Sequence, residues 1–198
     1  MKQFLFWIFL LVSTSANAVI VDSMFIIGTD YKLLHISNDQ HSGYLYAENY
    51  QHQNILIYKS KSPYPPNSNF STDTIKGTDI IAVSFDCNTE ICTRYFNRRT
   101  NKISSIYSNV LDYNSKKGTV AYYLKNKNLI VINRAFENCK KSLTYSLTIY
   151  PNSIFGDKTY FLKNGDLQVD YADTQGNEHG LKIFHINYPK LFDNCTKR

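Results

Sequence analysis

The chain is poor in the residues that would name a chemistry. Its single tryptophan, Trp7, and one of its two methionines, Met1, fall in the first eighteen residues, so the rest has no tryptophan and only Met24. A core without tryptophan must be filled by Tyr, Phe, Leu and Ile. Catalytic templates are missing: there is no G-x-S-x-G, H-E-x-x-H, Walker loop or S-x-x-K. No two of the four cysteines have the C-x2-C spacing of a zinc site. No segment keeps a 3.6-residue apolar period over ten residues, which excludes a helical bundle and leaves room for at most one or two short helices. The longest apolar run, 4–12, falls far short of the ~20 residues that span a bilayer as a helix.

What the N-terminus does hold is one lysine, Lys2, that apolar run, and the small-residue ending Ala16-Asn17-Ala18. This pattern predicts a cleaved secretory signal peptide over 1–18. The remaining 198 − 18 = 180 residues suit one domain, 19–198. Of 22 Lys and Arg, Lys2 goes with the leader, leaving 21 against 16 Asp and Glu, a charge of +5. An excess of this size fits long-range attraction to an anionic partner and equally fits a solvated surface. The basic residues of the central stretch, among them Arg98, Arg99, Lys116, Lys117, Lys125 and Lys127, fall in or beside predicted turns.

An exported chain is expected to oxidise its cysteines. Four cysteines allow three pairings, and the spacing favours Cys87 with Cys92 across a hairpin tip. Cys139 would then pair with Cys195 and tie back the C-terminal tail.

Strand signals run through the whole chain. VIVDSMFIIG, YKLLHIS, GYLYAENY and NILIYKS alternate with polar turns, and 79–136 carries IIAVSF, TRYFN, KISSIY, NVLDY, TVAYYL and NLIVIN. NLIVI predicts a central strand buried on both faces. SLTYSLTIY alternates Leu143, Tyr145, Leu147 and Ile149 with Ser and Thr, a half-exposed strand. KTYFLK and LQVDYAD flank Asn164-Gly165, the dipeptide of a type I′ hairpin turn. LKIFHINY is apolar on both faces and predicts an internal strand. The fold class is therefore all-β, with antiparallel meanders forming a two-sheet sandwich or a small open barrel. The blade-like spacing of 102–134 also suggests a propeller, but 180 residues would make only about four blades, so the sandwich is preferred.

One segment breaks the pattern. Residues 62–78 hold three prolines and many Ser, Thr and Asn, and read as a long loop presenting Tyr64 and Phe70 as candidate binding residues, or as a plain surface excursion.

No catalytic set emerges. His41, His52 and His179 fall in predicted turns, His35 and His185 in strands, and no spacing among them or with Glu178 specifies a metal. Asp166 belongs to a turn, while Asp170 and Asp173 face opposite sides of a regular strand, so no local acid and base pair forms. No cofactor or metal is expected. The 16 tyrosines are the one compositional excess, and serve equally as strand formers and as rigid amphipathic contacts.

KISSIYSNVLDY, TVAYYL, NLIVINRAF and the hairpin NGDLQVDY are similar to small uncharacterised secreted proteins of Gram-negative bacteria, over about 86–188. That resemblance implies a periplasmic or secreted home and a β-rich domain, and transfers no functional residue. The sequence thus predicts an exported protein that binds a protein or an envelope glycan or lipid, such as an inhibitor or immunity-type protein of the cell envelope. It predicts no nucleic-acid partner and no transmembrane segment after signal cleavage. The alternatives are an envelope hydrolase with an unrecognised site and a structural component of surface assembly.

Overall fold

The computed structural model describes residues 19–25, 31–38, 42–60, 70–87, 90–137, 141–147, 154–172 and 179–193. The signal peptide expected at 1–18, Tyr64, His41, Asp173, Glu178, Cys139 and Cys195 lie outside them.

Strand signals alternate with turn signals along the whole described chain, and the backbone responds with four antiparallel sheets, none of them closed into a barrel. The first holds β1 (Val19–Phe25), β2 (Lys32–Asn38), β3 (Ser42–Glu48) and β4 (Asn54–Lys59). The second holds β5 (Phe70–Thr74), β6 (Ile80–Cys87), β7 (Glu90–Asn97) and β8 (Lys102–Ser108). The third holds β9 (Val110–Asn114), β10 (Thr119–Leu124), β11 (Leu129–Arg134) and β12 (Leu143–Ser146), and the fourth β13 (Ile154–Phe161), β14 (Leu167–Ala172) and β15 (His179–Phe184). In every sheet neighbours in sequence are neighbours in space. Among the described residues helix is confined to a 3-10 turn, Lys125–Lys127, and α1 (Tyr188–Phe192).

Local chemistry explains the hairpins. Three connections, 98–101, 115–118 and 125–128, are four-residue loops whose last residue is left-handed: Asn101 at φ 57°, Gly118 at 63° and Asn128 at 52°. Asn and Gly are the residues that adopt this conformation at least cost. The step from second to third sheet is a single residue, Asn109, at φ 48°. Its side chain donates to Glu90 Oε1 at 3.0 Å.

Alternation then builds the layers. Leu33, Leu45 and Ile57 of the first sheet meet Ile81, Val83, Phe85 and Phe96 of the second. The other face of the second sheet sets Ile80, Tyr95 and Tyr107 against Val120 of the third, with Tyr95 stacked on Tyr113 at 4.5 Å. Ile130, Ile132, Leu143 and Leu147 of the third sheet and its flank meet Leu167, Val169 and Phe184 of the fourth, closed off by Leu191 of α1. Each fully buried side chain of this kind contributes about 1.5–3 kcal/mol. Every neighbouring pair of sheets is thus a two-sheet sandwich, and the four sheets stack in chain order. Among the described residues no buried cluster joins the fourth sheet to the first.

Polar ties fix the layers. The buried Arg98 guanidinium lies between the rings of Tyr31 and Tyr50, 4.6 and 4.3 Å from their centroids, and its Nε donates to the Glu48 carbonyl at 3.1 Å. Asn49, fully buried, donates to Asn101 across the same junction at 3.0 Å.

β11 is buried on both faces as its composition predicts, and β12 buries Leu143, with Leu147 buried just past its end, while exposing Thr144 and Ser146. Three expectations for whole segments differ from the structure. Within 62–78, residues 70–74 form β5, because pairing with β6 supplies main-chain hydrogen bonds that outweigh the polar composition of FSTDT. Asn164-Gly165 does not form a type I′ turn. Gly165 N–H donates to the Leu162 carbonyl and Leu162 N–H to the Asp166 carbonyl, and Gly165 alone is left-handed at φ 95°. This is a three-residue loop with glycine at its bulge position. LKIFHINY is not internal: β15 is an edge strand with Leu181 and Ile183 exposed, and the chain then turns into α1.

Candidate functional site

At one end of the third and fourth sheets the turn at 115–118 and the loop at 162–166 face each other across a cleft of about 240 Å3. Its position follows from an irregularity in β9. The register with β10 slips between Ala121 and Tyr122, leaving Leu111 as an extra residue beside Asp112. Such a bulge re-aims side chains. Asp112 turns toward β13, where its Oδ2 accepts the Phe161 amide at 2.6 Å while Oδ1 accepts the Tyr113 amide at 2.7 Å. β9 and β13 are both edge strands, so the carboxylate satisfies an edge N–H that would otherwise lack a ladder partner. Burial raises the Asp112 carboxyl above the usual carboxylate range, against the pull of these two amides.

The far wall is held by Tyr188 of α1. Its hydroxyl donates to the Gly165 carbonyl at 2.6 Å and accepts from Asn114 Nδ2 at 3.2 Å. Only glycine fits at 165: a Cβ there would lie 2.9 Å from Tyr188 Cε2, on a backbone already at positive φ. Next to it, Asp166 accepts the Ile186 amide at 3.1 Å, lies 2.8 Å from His185 Nδ1 and accepts from Asn164 at 2.9 Å. Burial would raise the Asp166 carboxyl, but the Ile186 amide, His185 and Asn164 outweigh it and hold the group below its ordinary value.

Three lysines rim the cleft: Lys116 and Lys117 on one turn and Lys163 on the other, all exposed. Lys117 Nζ lies 5.2 Å from the Tyr188 ring centroid. No ion pair engages any of the three among the described residues. The basic residues at the junction of the first and second sheets are in a different state. There Arg99 pairs with Asp79 at 2.6 Å, Lys32 lies 3.9 Å from Glu48, and Arg98 is stacked and buried. Charge at that junction is spent inside the protein, whereas charge at the cleft faces solvent.

The residues singled out from sequence fall elsewhere. Cys87 and Cys92 are paired across the β6–β7 hairpin tip, Cα to Cα 5.7 Å. Phe70 sits in β5, half-buried against the first core. His52 lies in the turn after β3, 3.2 Å from Glu48, and His179 opens β15 instead of lying in a turn. His35 lies in β2, as its sequence context predicts. His185 lies just past β15 instead of in a strand and pairs with Asp166; the Tyr145 hydroxyl donates to its main-chain carbonyl at 3.0 Å, but no hydroxyl or thiol is hydrogen-bonded to its ring among the described residues, so the pair fixes the exit into α1. Asp170 is buried in β14. Among the described residues no three of His, Cys, Asp and Glu gather to hold a metal, and no helix is long and apolar enough to cross a membrane. Asp112, Lys163 and Tyr188 escaped the sequence reading. The turns at 114–118 and 163–165 were legible, but nothing local says that they meet.

Against protein-family models, curated proteins and solved structures, the chain finds no match.

Proposed function

We propose that this is an exported protein of the cell envelope that acts by binding rather than by turnover, and that the cleft between the third and fourth sheets receives an anionic group of its partner. The observation that carries this reading is the set of three exposed lysines around a walled cleft, none of them held in an ion pair among the described residues. Such a site attracts anions at long range and is weakened by salt. The binding role fits Asp112, whose two oxygens are held by main-chain amides and so brace the cleft wall. The Cys87–Cys92 pair supports export, and the leader pattern at 1–18 is its sequence basis.

The test is capture by tagged protein, residues 19–198, from envelope extract and culture supernatant at low and high salt, with a turnover screen on peptidoglycan and glycans run beside it. Saturable capture of anion-bearing material, weaker at high salt, is the expected result. Turnover that persists in homogeneous protein, or no capture at either salt, would overturn it.

A further inference from the structure

The cleft holds two kinds of group that a bare anion site would not combine. Three ammonium groups stand at its rim, and a carboxylate, Asp112, stands in its wall. A carboxylate carries about four lone-pair sites on its two oxygens. Asp112 uses one on each oxygen for the amides of Phe161 and Tyr113, which leaves acceptor capacity for a donor in the cleft. A ligand matched to this set offers negative charge to the lysines and hydroxyl donors to the carboxylate.

Size narrows the choice. At about 240 Å3 the cleft falls below the ~300–1,000 Å3 usual for enclosing a drug-sized molecule, and it has room for one small ring. Asn114, Ser115, Asn164 and the half-buried Phe161 and Leu162 also line it. Polar groups that hydrogen-bond hydroxyls, beside apolar residues, suit a sugar. A dianionic phosphate gains from the lysines but meets the Asp112 carboxylate as a like charge.

We infer that the cleft binds the carboxylate-bearing ring of an acidic sugar, one uronate-type unit of an anionic polysaccharide, with Lys116, Lys117 and Lys163 facing its carboxylate and Asp112 accepting from its hydroxyls. This rests on the cleft being the binding site.

The test is a titration of the mature protein with D-glucuronate, D-glucose and inorganic phosphate, followed by NMR, which detects weak binding. D-glucuronate should bind most tightly of the three. K116Q/K117Q/K163Q should weaken it about tenfold or more, as three solvent-exposed charge contacts would. Asp112→Asn should weaken D-glucuronate and strengthen phosphate. The comparison of the three ligands on the unaltered protein needs no variant, so a D112N protein that fails to fold leaves the test intact. Phosphate binding as tightly as D-glucuronate would overturn the sugar assignment and leave an anion cleft standing. D-Glucose binding equally well would show that the charge is unused and overturn the assignment. Binding of none of the three, while envelope material is still captured, would overturn the cleft itself as the site.

Discussion

Asp112 sits where two demands compete: the edges of β9 and β13 need an acceptor, and burial penalises the charged form that accepts best. Burial wins, and the carboxyl titrates above its ordinary value. A group whose folded pKa exceeds its unfolded one, here near 3.8, contributes stability that is complete below the unfolded value. That contribution is lost as pH rises through the folded value. Comparing the protein with Asp112→Asn by urea denaturation across acidic pH should isolate this behaviour. The stability difference, unaltered protein minus variant, should fall as pH rises from about 3.8 through the raised value and then level off. A difference that stays flat, or rises with pH, would mean that the amides and not burial govern the group. No sequence feature announces this residue, since its pairing with Phe161 spans 49 positions and depends on a bulge.

The elements, by contrast, were largely legible. IIAVSF, TRYFN and LIVIN carry β-branched and aromatic residues between turn signals, and each lies in a strand. Where the reading missed, the cause was pairing that local composition does not encode. β5 is a polar strand made by its neighbour, and the apolar face of β15 is left at a sheet edge. Asn109 shows how much one turn residue decides. It alone separates β8 from β9 and takes a left-handed conformation that costs most other residues about 1–2 kcal/mol. Asn109→Ala should lower the unfolding free energy by about that amount, and Asn109→Gly by less, because glycine keeps the backbone and loses only the contact to Glu90. If glycine costs as much as alanine in denaturant melts, the side-chain contact rather than the backbone conformation holds the step between sheets.

At the scale of the molecule, chain order becomes layer order. Consecutive strands make each sheet and consecutive sheets make each sandwich. The stacking itself was not readable from the chain, because the same alternation serves a two-sheet sandwich, a barrel or a longer stack equally well. Stacking also decides where charge stays free. Arg98 and Arg99 are consumed at the first junction, and Lys116, Lys117 and Lys163 are left open at the last. The direct test is therefore to compare K116Q/K117Q/K163Q with a variant of equal net charge, K102Q/K125Q/K127Q, whose lysines are also exposed but lie on other turns and strands. Affinity for captured envelope material would be measured for both at one salt concentration. The cleft account predicts that only the first variant loses binding; equal loss in both would show that overall positive charge, not the cleft, makes the interaction.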